Sequence, residues 1–262
     1  MSEFGLIDIT EKDEIFTIEI GGLDGKTHNS LSKVFRIAHE SDCRVVVVTG
    51  KGKSFIAPEK YDFEWVKKLG IYKDMLQIFK EAEDIIRDEI NCEKVTIAKV
   101  YAPGAHSMGA SIALACDFVY ASEDATFSDP HMSGFGVPPG DGGALLWPAR
   151  IGLSRAREFL MTDRMATAKE AYDIGLINKV APVDQLDAEV DKLIKKLLSY
   201  DALGLKMTKK WLNNYLQQNM AIVGMGSLFA EGMVLASGNF AQKTEAYGKQ
   251  LESEGKRSPN QK

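Results

Sequence analysis

A histidine and an aspartate frame the most glycine-rich loop of the chain. His131 follows Asp129-Pro130, and Asp141 comes ten residues later in the segment Gly134 to Gly143. Dense glycine lets a backbone approach a ligand closely. An imidazole that activates water and a carboxylate that fixes its tautomer form a workable acid–base pair. The sequence therefore predicts catalysis by His131 and Asp141, with a purely structural histidine as the alternative.

A serine motif offers a second chemistry, which the rest of the chain does not support. The segment Ala105 to Gly109 is one residue away from the G-x-S-x-G turn that presents a nucleophilic serine in α/β-hydrolases. That fold places its acid and then its histidine after the serine. The only histidine beyond Ser107 is His131, and the intervening chain is too short for the required strands and acid. We therefore interpret Ser107 as part of a tight turn.

Two loops that follow apolar runs could supply hydrogen-bond donors to a substrate oxyanion. Ser54 to Lys60 follows a run of valines, and Gly104 to Gly109 follows the segment Val95 to Val100. If the two strands are neighbours, both loops emerge at the same edge of the sheet. Backbone N–H groups at such loop-to-helix junctions stabilise negative charge. The alternative interpretation is that both segments are simple turns.

Motifs for metals and nucleotide cofactors are absent from the sequence. The four histidines, His28, His39, His106 and His131, are scattered, with no HExxH pattern or carboxylate cluster. The glycines also match neither the G-x-G-x-x-G fingerprint nor a P-loop. The sequence therefore predicts neither a bound metal nor a resident cofactor.

These residues are embedded in an alternation of strands and helices, which is typical of an α/β fold with crossover connections. Alternating or continuous apolar runs predict the strands, and apolar residues at helical spacing predict the helices. The predicted strands are Glu14–Ile20, Val45–Val48, Val95–Val100, Asp117–Ala121 and Ile174–Ile177, and the predicted helices are Asn29–Glu40, Tyr72–Ile90, Ala110–Cys116, Ser154–Met161, Thr167–Tyr172, Val183–Leu198 and Leu203–Asn219.

Size and composition limit the class of protein. The chain has 262 residues, a mass of 28.9 kDa and a formal net charge of −5. This length suits one large domain or two modest ones, and the acidic balance argues against a basic surface for nucleic acid. The three cysteines form no CxxC pair, which favours a reducing cytoplasm. We expect neither a signal peptide nor a membrane span.

Several segments, taken in order, resemble the crotonase superfamily, the enoyl-CoA hydratase/isomerase family. The similarity runs from about Glu14 to Leu198 and more loosely to Tyr247. It implies a spiral of ββα units over residues 1–198, followed over residues 199–262 by a helical region that builds homotrimers or dimers of trimers. The segments that carry the resemblance are Arg44–Phe55, Met108–Asp117, Ala125–Pro130, Pro138–Gly143 and Ala168–Val180.

The resemblance also implies roles for individual residues. The backbone amides of Glu59 and Met108 would form an oxyanion hole that stabilises a thioester enolate. Ser111 and His131 occupy the positions of the two glutamates that the hydratases use, and neither is a carboxylate. The first oxyanion loop departs from the family pattern at Ala57-Pro58-Glu59, where proline removes a donor and restricts φ. The resemblance further places Ala57, Gly109 and Gly140 against the substrate.

Three hypotheses for the function remain open at this stage. The first is an acyl-CoA hydratase/isomerase-like activity in which His131, oriented by Asp141, replaces a glutamate and coenzyme A enters only with the substrate. The second is hydrolysis of a cyclic β-diketone by the same pair and water. It follows from a local resemblance of Gly25–His28, His131–Gly142 and Trp147-Pro148 to crotonase-fold diketone hydrolases. The third is a binding or scaffold subunit with weak catalysis.

Overall fold

A computed structural model describes residues 3–53, 55–56 and 61–255. Its strands form a larger and a smaller sheet, and the helices alternate with the strands before they gather at the C-terminal end. The strands are Ile7–Lys12 (β1), Ile15–Ile20 (β2), Val45–Gly50 (β3), Val95–Val100 (β4), Gly104–His106 (β5), Phe118–Ser122 (β6), Thr126–Ser128 (β7), Ala166–Thr167 (β8) and Lys179–Ala181 (β9).

The larger sheet has the strand order β1-β2-β3-β4-β6-β9, in which only β1 and β2 pair antiparallel. Every residue of β3 is buried, as expected for a parallel strand that is covered on both faces. Val46 and Val48 belong to the main core, whereas Val45 and Val47 belong to a second core on the opposite face. The smaller sheet has the order β5-β7-β8 and leads directly to the predicted catalytic segment.

Most helices confirm the predicted pattern, although several boundaries move. The first helix begins at Gly25 rather than Asn29, because the Asp24 side chain accepts a hydrogen bond from the Thr27 amide at 2.7 Å and caps it. The helices are Gly25–Glu40 (α1), Phe63–Val66 (α2), Tyr72–Asn91 (α3), Met108–Ala115 (α4), Gly143–Thr162 (α5), Ala168–Asp173 (α6), Leu186–Leu198 (α7), Ala202–Asn219 (α8), Met225–Leu235 (α9) and Phe240–Ser253 (α10).

Helix α5 departs most from the sequence prediction, which began it at Ser154. It begins at Gly143 and includes Pro148, and the chain bends at Gly152, where φ is +78°. The first part of the helix forms despite the proline because its apolar side chains, such as Trp147, are fully buried. The strand that was predicted at Ile174–Ile177 was also misplaced. The chain turns there, and β9 follows at Lys179–Ala181.

The C-terminal helices return to the core. Leu228 of α9, Phe240 and Leu251 of α10 are buried in the main core. Large apolar side chains on α8 and α9 remain exposed, including Trp211 and Phe229. Among the described residues, no single helix has the length and apolar composition to cross a membrane, although the bent pair Ala202–Leu235 and Phe240–Ser253 meets both criteria together.

Candidate active site

Two of the three sequence-predicted catalytic residues, His131 and Asp141, line one small cavity of about 60 Å³, which is large enough for several water molecules, whereas Ser111 is not among its lining residues. His131 and Asp141 lie in its wall, together with residues from α3, α9 and α10. This arrangement argues against the hypothesis of a binding subunit in which His131 and Asp141 lie apart. The wall is apolar except for His28, Tyr61, Ser107, His131, Asp141 and Glu231.

Asp129 holds the His131 ring. The imidazole Nδ1 hydrogen-bonds the Asp129 carboxylate, and both side chains are almost completely buried. Asp129 directly follows β7, and His131 begins a one-turn π-helix, after which the Val137 amide donates a hydrogen bond to the His131 carbonyl at 3.2 Å. The Asp129-Pro130-His131 spacing therefore puts the carboxylate and the ring on one side of the turn. Asp141 was predicted to orient the ring, but Asp129 is the carboxylate that bonds Nδ1.

Asp141 lies at the other nitrogen of the ring. Its Oδ2 is 3.6 Å from His131 Nε2, too far for a direct hydrogen bond. Ser111 Oγ donates a hydrogen bond to Asp141 Oδ1 at 3.4 Å. Gly142 has a φ of +123° and packs its backbone against Ser111, where a Cβ would lie 3.0 Å from the serine side chain. A small residue is needed there because it lets the loop bring Asp141 to Ser111 and His131.

The two carboxylates set the charge of the histidine. Burial alone would lower the pKa of His131, but Asp129 and Asp141 outweigh it and raise the pKa well above its ordinary value. Burial also raises the pKa of Asp129, although its contact with His131 opposes this shift. The imidazolium, flanked by carboxylates, is therefore the resting form of His131 at neutral pH.

A third carboxyl group in the cavity was missed by sequence reasoning. Glu231 of α9 is buried, and burial together with Asp141 and Asp129 raises its pKa to about 8 against the opposing charge of His131. This carboxyl group is thus neutral at pH 7. Gly140 lies beside it, and a Cβ on this glycine would lie 2.4 Å from Glu231 Oε2. The sequence signal was weak because Glu231 stands alone on a helix outside the glycine-rich loop.

The predicted oxyanion loops are only partly described. Strands β3 and β4 pair in parallel, which confirms that the loops after them emerge at the same edge. Met108 lies in the cavity wall and begins α4, and Gly109 packs against Ile56, where a Cβ would lie 2.7 Å from the Ile56 carbonyl oxygen. Glu59 and Ala57 lie outside the described residues, so the predictions for them stay predictions.

A second histidine, His28, lines the cavity and belongs to a buried hydrogen-bond network. His28 Nδ1 lies 2.7 Å from Glu81 Oε2, and its ring stacks at a tilt against Trp65 with centroids 5.0 Å apart. Burial would raise the pKa of Glu81, but hydrogen bonds from His28, Gln77 and Asn29 outweigh it and lower the pKa. Glu81 is therefore ionised and fixes the orientation of the His28 ring. The described residues contain no group of three or more histidine, cysteine or acidic side chains arranged to hold a metal ion.

The fold is that of the crotonase superfamily, and sequence comparison assigns the chain to the same group. The Enoyl-CoA hydratase/isomerase family matches residues 21–233, so the chain belongs to this family. It is 31% identical over 179 residues to a crotonyl-CoA hydratase of Syntrophomonas wolfei, and the aligned region covers 67% of this chain and 66% of that protein. It is 30% identical over 190 residues to a short-chain-enoyl-CoA hydratase of Clostridium acetobutylicum, covering 69% and 68%. The chain thus spans about two thirds of the length of these relatives, and 64% of a relative from Dictyostelium discoideum.

Solved structures share the same fold. An enoyl-CoA hydratase/isomerase from Mycobacterium paratuberculosis superposes with a TM-score of 0.85 at 26% identity, covering 92% of this chain and 98% of that one. A β-diketone hydrolase from the cyanobacterium Anabaena, bound to (S)-3-oxocyclohexyl acetic acid, superposes with a TM-score of 0.81 at 26% identity, covering 90% and 96%. The predicted crotonase fold with a C-terminal helical region is therefore confirmed.

Proposed function

We propose that this crotonase-superfamily enzyme hydrolyses a carbon–carbon bond of a small cyclic β-diketone. The observation that carries the proposal is the array of Asp129, His131 and Asp141 in the wall of a small, mostly apolar cavity. A similar fold in a β-diketone hydrolase that binds an oxocyclohexyl acid supports the substrate class. The absence of carboxylates at the Ser111 and His131 positions, where related hydratases use glutamates, supports chemistry other than two-glutamate hydration.

Asp141 is the proposed general base. A water molecule about 2.8 Å from both His131 Nε2 and Asp141 Oδ2 fits beside the 3.6 Å line that joins them. This role differs from the sequence-based prediction, in which His131 accepts the proton. Because the imidazolium is the resting form, Asp141 takes the proton from water and the resulting hydroxide attacks one substrate carbonyl carbon.

His131 is the proposed general acid. When the tetrahedral intermediate collapses, the bond between the attacked carbon and the central carbon breaks, which gives a carboxylic acid and an enolate. His131 donates its Nε2 proton to the enolate carbon, and the proton on Asp141 then returns to the imidazole. Neutral Glu231 donates a hydrogen bond to the second carbonyl oxygen as it gains charge. One water molecule is consumed, and because the substrate is cyclic the cleavage opens its ring to a single oxo acid, which leaves with the site restored.

Hydration or isomerisation of an acyl-CoA is the second candidate. This candidate is favoured by the names of the relatives described above, which are enoyl-CoA hydratases. In this alternative Asp141 activates water for addition to the β-carbon, His131 protonates the α-carbon, and coenzyme A arrives as part of the substrate. The same residues thus serve both candidates, and only the substrate separates them.

Initial rates with two substrates test the proposal. We expect the purified chain to hydrolyse cyclohexane-1,3-dione, which is measured by the loss of the diketone's ultraviolet absorbance. We expect it not to hydrate crotonyl-CoA. His131→Ala should lower the hydrolysis rate by about 10²-fold or more, because a general acid or base contributes at least that much. His39→Ala, which alters a histidine that contacts the Glu93 amide outside the cavity, is the matched control. Turnover of crotonyl-CoA alone would replace the proposal with the second candidate.

A further inference from the structure

The phenol of Tyr61 forms a fixed part of the cavity wall. Tyr61 forms a parallel bridge with Leu23, and the next amide, of Asp62, donates to the Leu23 carbonyl at 2.8 Å. Asp62 then caps α2 by accepting hydrogen bonds from the Glu64 and Trp65 amides. These contacts fix the backbone on the C-terminal side of Tyr61. The direction of its side chain into the cavity is therefore set by the fold.

The Tyr61 hydroxyl forms no hydrogen bond of standard geometry with the described residues, although the Ser107 side chain lies close enough to oppose the rise in its pKa. The side chain is 96% buried, since its residue exposure is 4%, and it lines the cavity together with Ser107, Met108 and His131. A buried hydroxyl without a partner costs free energy. Such a group in the wall of a candidate active site is explained if a ligand atom completes its hydrogen bond.

The hydroxyl keeps its proton across the physiological range. Burial raises the pKa of Tyr61 far above its ordinary value, and the charge of Asp141 raises it further. The neutral phenol is therefore the form present whenever Asp141 is ionised. A phenol in this state donates one hydrogen bond, and an acceptor that gains negative charge during the reaction strengthens that bond.

Helix α4 supplies a second donor at the same wall. Met108 is the first residue of this helix, so its amide is one of the N–H groups that the helix itself leaves unpaired. Ser107, which precedes it, has a φ of +51° that turns the chain sharply from β5 into the helix. The positive end of the helix dipole thus faces the cavity.

We propose that the Tyr61 hydroxyl is an oxyanion donor, which works beside the Met108 amide and binds the carbonyl oxygen that water attacks. The inference rests on the proposed function in one respect, namely that the substrate is a carbonyl compound. It adds a side-chain donor to a pocket that the family resemblance described with backbone amides alone. The hydroxyl distinguishes a carbonyl oxygen, which accepts a hydrogen bond, from an apolar group at the same place.

Tyr61→Phe tests the donor because it removes the hydroxyl and keeps the ring. We expect kcat for cyclohexane-1,3-dione to fall by about 10²-fold, the typical effect of losing one oxyanion donor, with little change in KM. The melting temperature should stay equal or rise, because the substitution removes an unpaired buried group. Tyr101→Phe is the matched control, since Tyr101 is equally buried in the second core and away from the cavity. Equal kcat values for Tyr61→Phe and the unaltered protein would overturn the inference.

Infrared spectroscopy separates the donor role from the proposed function. Cyclohexanone with a ¹³C-labelled carbonyl is the probe, and a hydrogen bond from Tyr61 lowers its stretching frequency in the unaltered protein. The band should move to higher frequency in Tyr61→Phe and stay in place in Tyr101→Phe. Identical spectra in all three proteins would overturn the inference, even if the diketone is hydrolysed. A band shift without diketone turnover would support the donor and refute the proposed substrate.

Discussion

Replacing Asp129 by asparagine should change the pH range in which the enzyme works. The asparagine carbonyl can still accept the hydrogen bond from His131 Nδ1, so the ring keeps its orientation. The substitution removes one of the two negative charges that hold the proton on the imidazole. We therefore expect the pKa of His131 to fall, and with it the upper pH limit of the active, protonated enzyme.

The size of the effect follows from the contact. A buried opposite charge in direct contact shifts a pKa by about 1–3 units. The carboxylate of Asp129 bonds the ring directly, while Asp141 stands 3.6 Å from the other nitrogen and remains in the variant. If His131 acts as the acid, kcat/KM should be similar in both proteins at low pH. Above the new pKa it should fall about tenfold for each unit of pH, so at a pH above both pKa values the loss relative to the unaltered protein should reach about 10- to 10³-fold.

Two measurements check this prediction. The dependence of kcat/KM on pH gives the upper limb of the rate profile, and NMR titration of labelled histidine gives the imidazole pKa directly. Asp124→Asn is a suitable control, because Asp124 accepts a hydrogen bond from Ser122 and does not line the cavity. An upper limb at the same pH in Asp129→Asn and the unaltered protein would show that His131 does not work as a protonated acid.

Two further predictions concern stability and assembly. We expect Glu231→Gln to have lower activity but a higher melting temperature than the unaltered protein. The difference in melting temperature should grow between pH 5 and pH 8. The folded-state pKa of Glu231, about 8, lies above the ordinary 4.5, so between these pH values the folded protein keeps a proton that the unfolded chain releases. The stability of the unaltered protein therefore falls as the pH rises through this window. A difference in melting temperature that stays constant with pH would contradict the assigned pKa. We also expect light scattering to show a trimer for the unaltered chain and a monomer for Trp211→Asp, which puts a charge on the exposed apolar face of α8. A monomeric unaltered chain would contradict the predicted assembly.

The sequence was most informative where local pattern decides structure. The valine run of β3 and the stripe of α3 predicted a buried strand and an amphipathic helix whose bounds the structure nearly reproduces. The start of α5 was missed because glycine and proline at its beginning indicate a loop, whereas burial of Trp147 stabilises a helix there. Local propensity thus failed where a tertiary contact outweighed it.

For the candidate site as well, local sequence patterns revealed the residues that are close in the chain but not those that tertiary contacts bring in. The loop from His131 to Asp141 was visible because its glycines and charged residues are close in the chain. Asp129 was visible too, but only coordinates could show which ring nitrogen each carboxylate meets. Glu231 and Tyr61 come from distant segments, and nothing in their local sequence indicates a cavity. Their roles depend on burial and on missing partners, which are properties of the folded chain.

The placement of Glu231 has a consequence for biosynthesis. His131 and Glu231 lie a hundred positions apart, so the ribosome releases the histidine loop well before α9. Chains fold from the N-terminus as they emerge. Until α9 docks, water reaches the loop, and Glu231 lacks the burial that raises its pKa. A nascent chain therefore has the strands and the histidine loop before it has the neutral Glu231 carboxyl group on which the proposed mechanism depends.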